Sequence, residues 1–210
     1  MKAIRGRFIL VLAWATVWFA PGIAAAATSP SAGTEYMQAR LVSAVDAVGN
    51  LDTAQLGVEL TMKPGWKTYW RSPGDAGAPP RLDWDGSSNL ADATLSYPAP
   101  RLYTLLGLRM EGYSDKVVLP VLARIKTPGQ PMALRLTLDA LVCAELCVPQ
   151  TMTLALDLPA GAAVPGKEAQ EIARFVSQVP GDGAAAGFTI APPAEVAPDE
   201  TATAPPPPAP

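Results

Sequence analysis

Residues 133–158 read ALRLTLDALVCAELCVPQTMTLALDL, and the pattern in this stretch indicates the fold class. Apolar side chains alternate with polar or small ones on both sides of two cysteines, first at Leu134, Leu136 and Leu138 and then at Met152, Leu154 and Leu156. A period of two predicts half-buried β-strands, here Ala133–Val142 and Thr151–Leu158. The short connection predicts an antiparallel hairpin whose turn carries the chain's two cysteines, Cys143 and Cys147.

Similar strand patterns recur through the preceding hundred or so residues, without alternating helices. Turn signals such as Pro64-Gly65 and the Gly/Pro-rich loop 72–80 separate them. The runs are Met37–Val48, Gln55–Met62, Trp66–Trp70, Leu82–Trp84, Ala93–Tyr97 and Lys116–Ile125. We therefore predict an all-β domain over residues 34–160, an immunoglobulin-like β-sandwich of seven to eight strands. The Cys-Trp-Cys spacing of antibody domains is absent.

Three further segments flank this domain. A basic start, an apolar run and small residues at Ala24–Ala27 predict a secretory signal peptide over residues 1–27. Residues 166–179 predict a short amphipathic helix with Ile172, Phe175, Val176 and Val179 on one face. The Pro/Ala-rich residues 181–210 predict a disordered tail.

Composition excludes several classes of function. The sequence contains no histidine, which removes Ser-His-Asp and Cys-His catalysis, histidine-liganded zinc or copper, and histidine pH switching. Without the predicted signal peptide, 13 basic residues face 19 acidic ones, a net charge of −6. This charge argues against nucleic acid as a partner. We also expect no bound cofactor and no resident metal.

The cysteine pair leaves three interpretations open. A signal peptide directs the chain to an oxidising compartment, in bacteria the periplasm, where disulfides persist. A ring of about five residues stabilises a fold by only about 2 kcal/mol, which favours thiol:disulfide exchange over a structural staple. The alternatives are an inert disulfide, or Cu(I) ligation by both thiolates with Met110, Met132 or Met152 as a thioether donor. Zinc would need two further ligands that the chain does not obviously supply.

The surroundings of the cysteines in the sequence predict weak intrinsic nucleophiles. Glu145 lies between them, and no Lys or Arg occurs within seven residues of either thiol. A nearby carboxylate disfavours a thiolate, whereas a nearby cation would favour it. We therefore expect the pair to react with a partner that supplies its own reactive thiolate.

Three ordered motifs resemble a known family: GWKTYWRSPGDAG at 65–77, GYSDKVVLPV at 112–121 and CAELCVP at 143–149. They look like the N-terminal periplasmic domain of the DsbD disulfide reductases, most of all the copper-sensitivity suppressor branch, ScsB. The resemblance implies a thiol:disulfide oxidoreductase component that relays electrons between a membrane or thioredoxin-like reductase and periplasmic disulfide proteins. By position, Cys147 resembles the cysteine that forms the mixed disulfide, and Cys143 the one that completes the internal disulfide.

The family also shields its cysteines with a cap loop, and residues 101–110 correspond to it here. This stretch is either such a cap or an ordinary packed connection. The aromatic residues Tyr69, Trp70, Tyr103 and Tyr113 are candidates to line the site, although buried aromatics in a sandwich are usually core. Full-length members carry a membrane domain and a thioredoxin-like domain, so we expect this chain to act in trans or to be part of a larger reductase. The rival function is a non-catalytic immunoglobulin-like binding module with an inert disulfide, linked to copper tolerance through Cu(I) binding.

Overall fold

The computed structural model describes residues 28–105 and 107–181, and these residues form eleven strands and one helix. The predicted signal peptide and nearly all of the predicted tail lie outside this range. In chain order the elements are β1 (Ala32–Gly33), β2 (Met37–Ser43), β3 (Thr53–Met62), β4 (Lys67–Gly74), β5 (Arg81–Asp83), β6 (Leu90–Leu95), β7 (Arg101–Leu105), β8 (Leu108–Ser114), β9 (Lys116–Ile125), β10 (Met132–Cys143), β11 (Cys147–Leu158) and α1 (Ala169–Val176). Among the described residues no helix is both long and apolar enough to cross a membrane.

The strands form two antiparallel sheets that pack face to face. The first sheet has the order β1-β2-β3-β9-β6, and the second has the order β11-β10-β4-β8-β7 with β5 paired to β10. The prediction of an all-β sandwich is therefore confirmed. The long hairpin β10–β11 is continuous in register from Met132 opposite Leu158 to Cys143 opposite Cys147.

The core lies between the sheets and is built from the alternating side chains that the sequence indicated. Leu134, Leu136 and Leu138 of β10 are buried, as are Met152 and Leu154 of β11. Burying one such side chain contributes roughly 1.5–3 kcal/mol, and the polar residues between them face outward. The hairpin is thus held by its inner face, which fixes where its turn and the two cysteines lie.

Helix α1 covers the outer face of the first sheet. Ile172 and Phe175 are buried, and Ile172 approaches Gly57 of β3, where an added Cβ would lie 3.4 Å from its Cγ1. Lys116 bridges Glu59 of the sheet and Glu171 of the helix at 2.9 Å each. The helix is shorter than residues 166–179, and Val176, expected on the packed face, is 41% exposed.

The stretch 101–110, expected to be a loop, is instead the hairpin β7–β8 at the edge of the second sheet. Its register runs from Arg101 opposite Gly112 to Leu105 opposite Leu108. Gly107 takes a positive φ of 81° in the turn, which a glycine adopts without steric cost. Apolar residues occur on both faces of this hairpin, with Leu102 and Leu108 exposed, so the alternation that marks a half-buried strand is weak in the sequence.

Candidate functional site

Cys143 and Cys147 form a disulfide across the end of the β10–β11 hairpin. Their Cα atoms lie 4.1 Å apart, because the two residues are direct partners in the antiparallel register. The Ala144 backbone N–H donates to the Leu146 carbonyl at 2.9 Å and closes the turn between them. The predicted juxtaposition of the two cysteines therefore follows from the register of the hairpin.

The two cysteines differ in exposure. Cys143 is fully buried at 0% exposure, whereas Cys147 is exposed. Leu146, immediately before Cys147, is 57% exposed at the tip of the turn. An incoming protein therefore reaches Cys147 first.

The disulfide lies in a second, smaller apolar cluster on the outer face of the second sheet. Tyr69, Met110 and Cys143 are its buried members, and partly buried apolar residues pack around them, namely Tyr103, Leu105 and Leu141. The sheet register produces this grouping: Cys143 pairs with Lys67, and Tyr69, two residues along β4, points to the same face. This cluster is separate from the core between the sheets.

The Tyr69 hydroxyl lies 3.2 Å from Cys143 Sγ and 3.8 Å from Cys147 Sγ. In the disulfide neither sulfur carries a proton, so the phenol is the donor. Burial raises the pKa of Tyr69 above its usual value near 10, and the hydroxyl therefore keeps its proton at neutral pH. The site holds a permanent hydrogen-bond donor against the buried sulfur.

The loop that follows β4 fixes the Tyr69 ring. A Cβ added to Gly77, which has a φ of +115°, would lie only 2.1 Å from Tyr69 Cε1, so only glycine fits beside the ring. The Arg109 backbone N–H donates to Asp75 Oδ2 at 2.8 Å, and the Asp75 N–H donates to the Arg109 carbonyl at 3.0 Å. The motif GDAG at 74–77 thus joins the Tyr69 ring to the edge hairpin.

The tip of the β7–β8 hairpin and the disulfide enclose a cavity of about 70 Å³. Its lining is mostly apolar and consists of Tyr69, Ala76, Leu105, Leu108, Arg109, Met110 and Cys147. The hairpin therefore lines one side of a cavity next to Cys147.

Of the four aromatic candidates, the structure brings Tyr69 and Tyr103 to the disulfide cluster and places Trp70 and Tyr113 elsewhere. Tyr103 packs against the cluster, and its hydroxyl donates to Ser114 Oγ at 3.1 Å. Trp70 packs against the main core under the Arg71 guanidinium, and Tyr113 is buried there with its hydroxyl donating to the Pro98 carbonyl at 2.8 Å.

Sequence reasoning missed a basic residue on the strand next to Cys143. Lys67 is the cross-strand partner of Cys143, and its ammonium group lies 5.4 Å from the centroid of the Tyr103 ring. The sequence did not indicate that Lys67 is next to Cys143, because β4 and β10 are far apart in the chain. No Lys or Arg occurs within seven residues of either cysteine along the sequence, but Lys67 is next to Cys143 across the sheet.

Comparisons with known proteins point to one family. Residues 35–159 match the family model described as thiol:disulfide interchange protein DsbD, N-terminal. A solved structure of the N-terminal periplasmic domain of ScsB from Proteus mirabilis is 25% identical, with a TM-score of 0.60 over 74% of this chain. The match spans 60% of that ScsB chain.

A second solved structure, the N-terminal domain of DsbD from Neisseria meningitidis in the reduced form, is 20% identical. It has a TM-score of 0.34 and covers 60% of this chain and 90% of its own. A comparison with curated proteins found no match.

Proposed function

Because this chain belongs to the family of the N-terminal domain of the thiol:disulfide interchange protein DsbD, we propose that it exchanges electrons with other proteins through Cys143 and Cys147. It would take them from a membrane or thioredoxin-like reductase and pass them to periplasmic disulfide proteins. One observation carries the proposal: the exposed Cys147 is bonded to a buried Cys143 whose sulfur faces the Tyr69 hydroxyl. A disulfide with a purely structural role does not need this difference in exposure between its two cysteines.

The first step follows from that asymmetry. A thiolate of the partner attacks Cys147 Sγ, a new disulfide forms between the two proteins, and the bond between Cys143 and Cys147 breaks. Cys143 Sγ leaves with the bonding electron pair. The Tyr69 hydroxyl, 3.2 Å away, donates a hydrogen bond to the developing thiolate, which then takes a proton from water.

The second step returns the partner in its oxidised form. The partner's second thiolate attacks its own sulfur in the mixed disulfide and releases Cys147 as a thiolate. Two electrons have then moved from the partner to Cys143 and Cys147, and the partner holds the disulfide. The same two steps in reverse deliver the electrons to an oxidised protein.

The compartment and the partner class are part of the proposal. The similar ScsB structure is described as a periplasmic domain, and a disulfide persists in such a compartment. The family implies thioredoxin-like partners. Exposed Leu146 and Leu108 flank Cys147 and offer an apolar contact for such a protein. Tyr103 and Leu105 of the β7–β8 hairpin pack against the cluster that holds the buried Cys143.

Tyr69→Phe is expected to slow reduction of the disulfide by a thioredoxin-fold protein about tenfold to a hundredfold. The variant keeps the ring and loses the donor to the leaving thiolate, and a hydrogen bond to a charged group contributes about 1.5–3 kcal/mol. Stopped-flow fluorescence during reduction measures the rate. Tyr103→Phe is the matched control, since its hydroxyl bonds to Ser114 and not to sulfur. Equal rates for wild type and Tyr69→Phe would show that the Tyr69 hydroxyl does not assist reduction of the disulfide.

A redox titration of the pair in glutathione and dithiothreitol buffers tests the function itself. We expect a reduction potential above about −300 mV, because structural disulfides lie below that range and exchanging pairs above it. The fraction of reduced chain is read after thiol alkylation by mass spectrometry. A potential well below that limit would favour the rival function, a binding module with an inert disulfide.

A further inference from the structure

The disulfide cluster contains a third sulfur atom that the exchange reaction does not use. Met110 on β8 is 2% exposed and belongs to the same buried cluster as Cys143. It also lines the cavity of about 70 Å³ that Cys147 lines. The structure thus brings the three sulfur-bearing side chains Cys143, Cys147 and Met110 to one small site.

The other methionines named from the sequence do not share this position. Met132 and Met152 are buried in the main core between the sheets. That core lies on the opposite face of β10 from the disulfide cluster. Of the three methionines that the sequence left as thioether candidates, the structure therefore selects Met110.

We propose that the reduced pair and Met110 form a three-sulfur site for Cu(I). Two thiolates and a thioether are soft ligands, and soft ligands select Cu(I) over the harder divalent ions. None of the described residues that line the cavity carries a carboxylate, so oxygen-preferring ions lack carboxylate ligands from them. Zinc prefers four nitrogen or sulfur ligands, and the site presents three.

Binding involves no change of oxidation state. The thiols of Cys143 and Cys147 each release a proton to solvent, and the ion bonds to the two thiolates and to Met110 Sδ. Oxidation of the pair to the disulfide removes both thiolates, so only the reduced chain holds the ion. Copper binding and thiol:disulfide exchange then exclude one another at the same sulfur atoms.

The surroundings of the site favour the monovalent ion. The Tyr69 ring, Leu105 and Leu108 line the cavity with mostly apolar atoms, and Arg109 also contributes to its lining. A small, mostly apolar site with sulfur ligands stabilises Cu(I) against oxidation, because the second charge of Cu(II) would be poorly solvated there. Cys147 is exposed, so the ion can enter the site from solvent beside this residue.

A competition titration with bicinchoninate under anaerobic conditions tests the proposal. The chain is reduced chemically and freed of reductant, so the result does not depend on any partner and a failure of the exchange function is measured separately. We expect one Cu(I) per reduced chain and none retained by the disulfide form. Retention by the oxidised chain, or no retention by the reduced chain, would overturn the proposal.

Met110→Leu distinguishes a Cu(I) site with three sulfur ligands from a site with the two thiolates alone. Leucine conserves the volume, and such a swap usually costs less than about 1.5 kcal/mol of stability. We expect the Cu(I) affinity to fall by at least about tenfold, since even outer-shell partners of metal ligands change affinity by about 10–100-fold. Met152→Leu, in the main core, is the matched control and should bind as wild type does.

X-ray absorption at the copper edge of the wild-type complex gives a readout that does not depend on the folding of a variant. Three sulfur neighbours in the wild-type complex, and two in Met110→Leu, are expected. Two sulfur neighbours in the wild type, or an unchanged affinity in Met110→Leu, would contradict the site.

Discussion

Replacing Cys143 with serine is expected to leave a chain that forms a stable mixed disulfide with a thioredoxin-fold partner through Cys147. The remaining thiol is the exposed one, and without Cys143 no internal thiolate can attack the new bond and release the partner. Turnover should be abolished, since both sulfur atoms are needed to carry two electrons. This is the largest effect on activity that the site predicts.

The experiment uses a thioredoxin-fold protein whose resolving cysteine is replaced and whose other cysteine carries a thionitrobenzoate group. Attack by Cys147 releases the coloured thiolate in a one-to-one ratio with the adduct. Cys147→Ser is the matched control. It retains only the buried Cys143 and should release the group far more slowly and accumulate little adduct. Equal adduct from both variants, or adduct only from Cys147→Ser, would refute the assignment of Cys147 as the partner-facing cysteine.

Gly77→Ala should destabilise the oxidised chain by at least about 2 kcal/mol. Two costs add: a strained backbone at a φ of +115° costs about 1–3 kcal/mol, and the new methyl group overlaps the Tyr69 ring, an overpacking cost of about 1–3 kcal/mol. The ring is 4% exposed and packs with Met110 and Cys143, so moving it away from the new methyl group would disturb those contacts. Urea denaturation of the oxidised chain measures the loss.

Gly65→Ala is the matched control for this substitution. Gly65 also has a positive φ, +88°, but an added Cβ there meets nothing within 4 Å. Its variant should lose only about 1–2 kcal/mol, the cost of a left-handed backbone for a residue with a Cβ. Equal losses for the two variants would mean that the contact with Tyr69 contributes nothing to stability.

The hairpin β10–β11 could be predicted from the sequence because its signal is local. Alternating leucines on both sides of the cysteines specify which face is buried, and that face specifies the register. The placement of Cys143 opposite Cys147 follows directly. The β-sandwich followed from the same kind of pattern in strands such as β3 and β9.

The surroundings of the disulfide could not be predicted in the same way, because they depend on pairings between distant strands. Lys67 lies beside Cys143, and Met110 lies near both cysteines, only because β4 packs between β10 and β8.

A local pattern does separate Tyr69 from Trp70. Adjacent residues of a strand point to opposite faces, so only one of the two could face the cysteines. Tyr69 does so, whereas Trp70 faces the main core.

The hairpin β7–β8 was missed for a different reason. Tyr103 and Leu105 turn toward the disulfide cluster while Leu102 is 62% exposed on the other face, so apolar residues occupy both faces of β7. Such a strand lacks the alternation on which strand prediction depends. Tyr103 and Leu105 of this stretch thus belong to a strand that packs against the disulfide cluster.

The most direct measurement identifies the sulfur atom that the partner attacks in the unmodified chain. The oxidised chain is mixed with a reduced thioredoxin-fold protein that lacks its resolving cysteine, quenched in acid and mapped by tandem mass spectrometry. A partner peptide linked to Cys147, with Cys143 present as a free thiol, is the predicted result. A partner linked to Cys143, or a chain that keeps its internal disulfide without any adduct, would contradict the proposal that this pair exchanges electrons through Cys147.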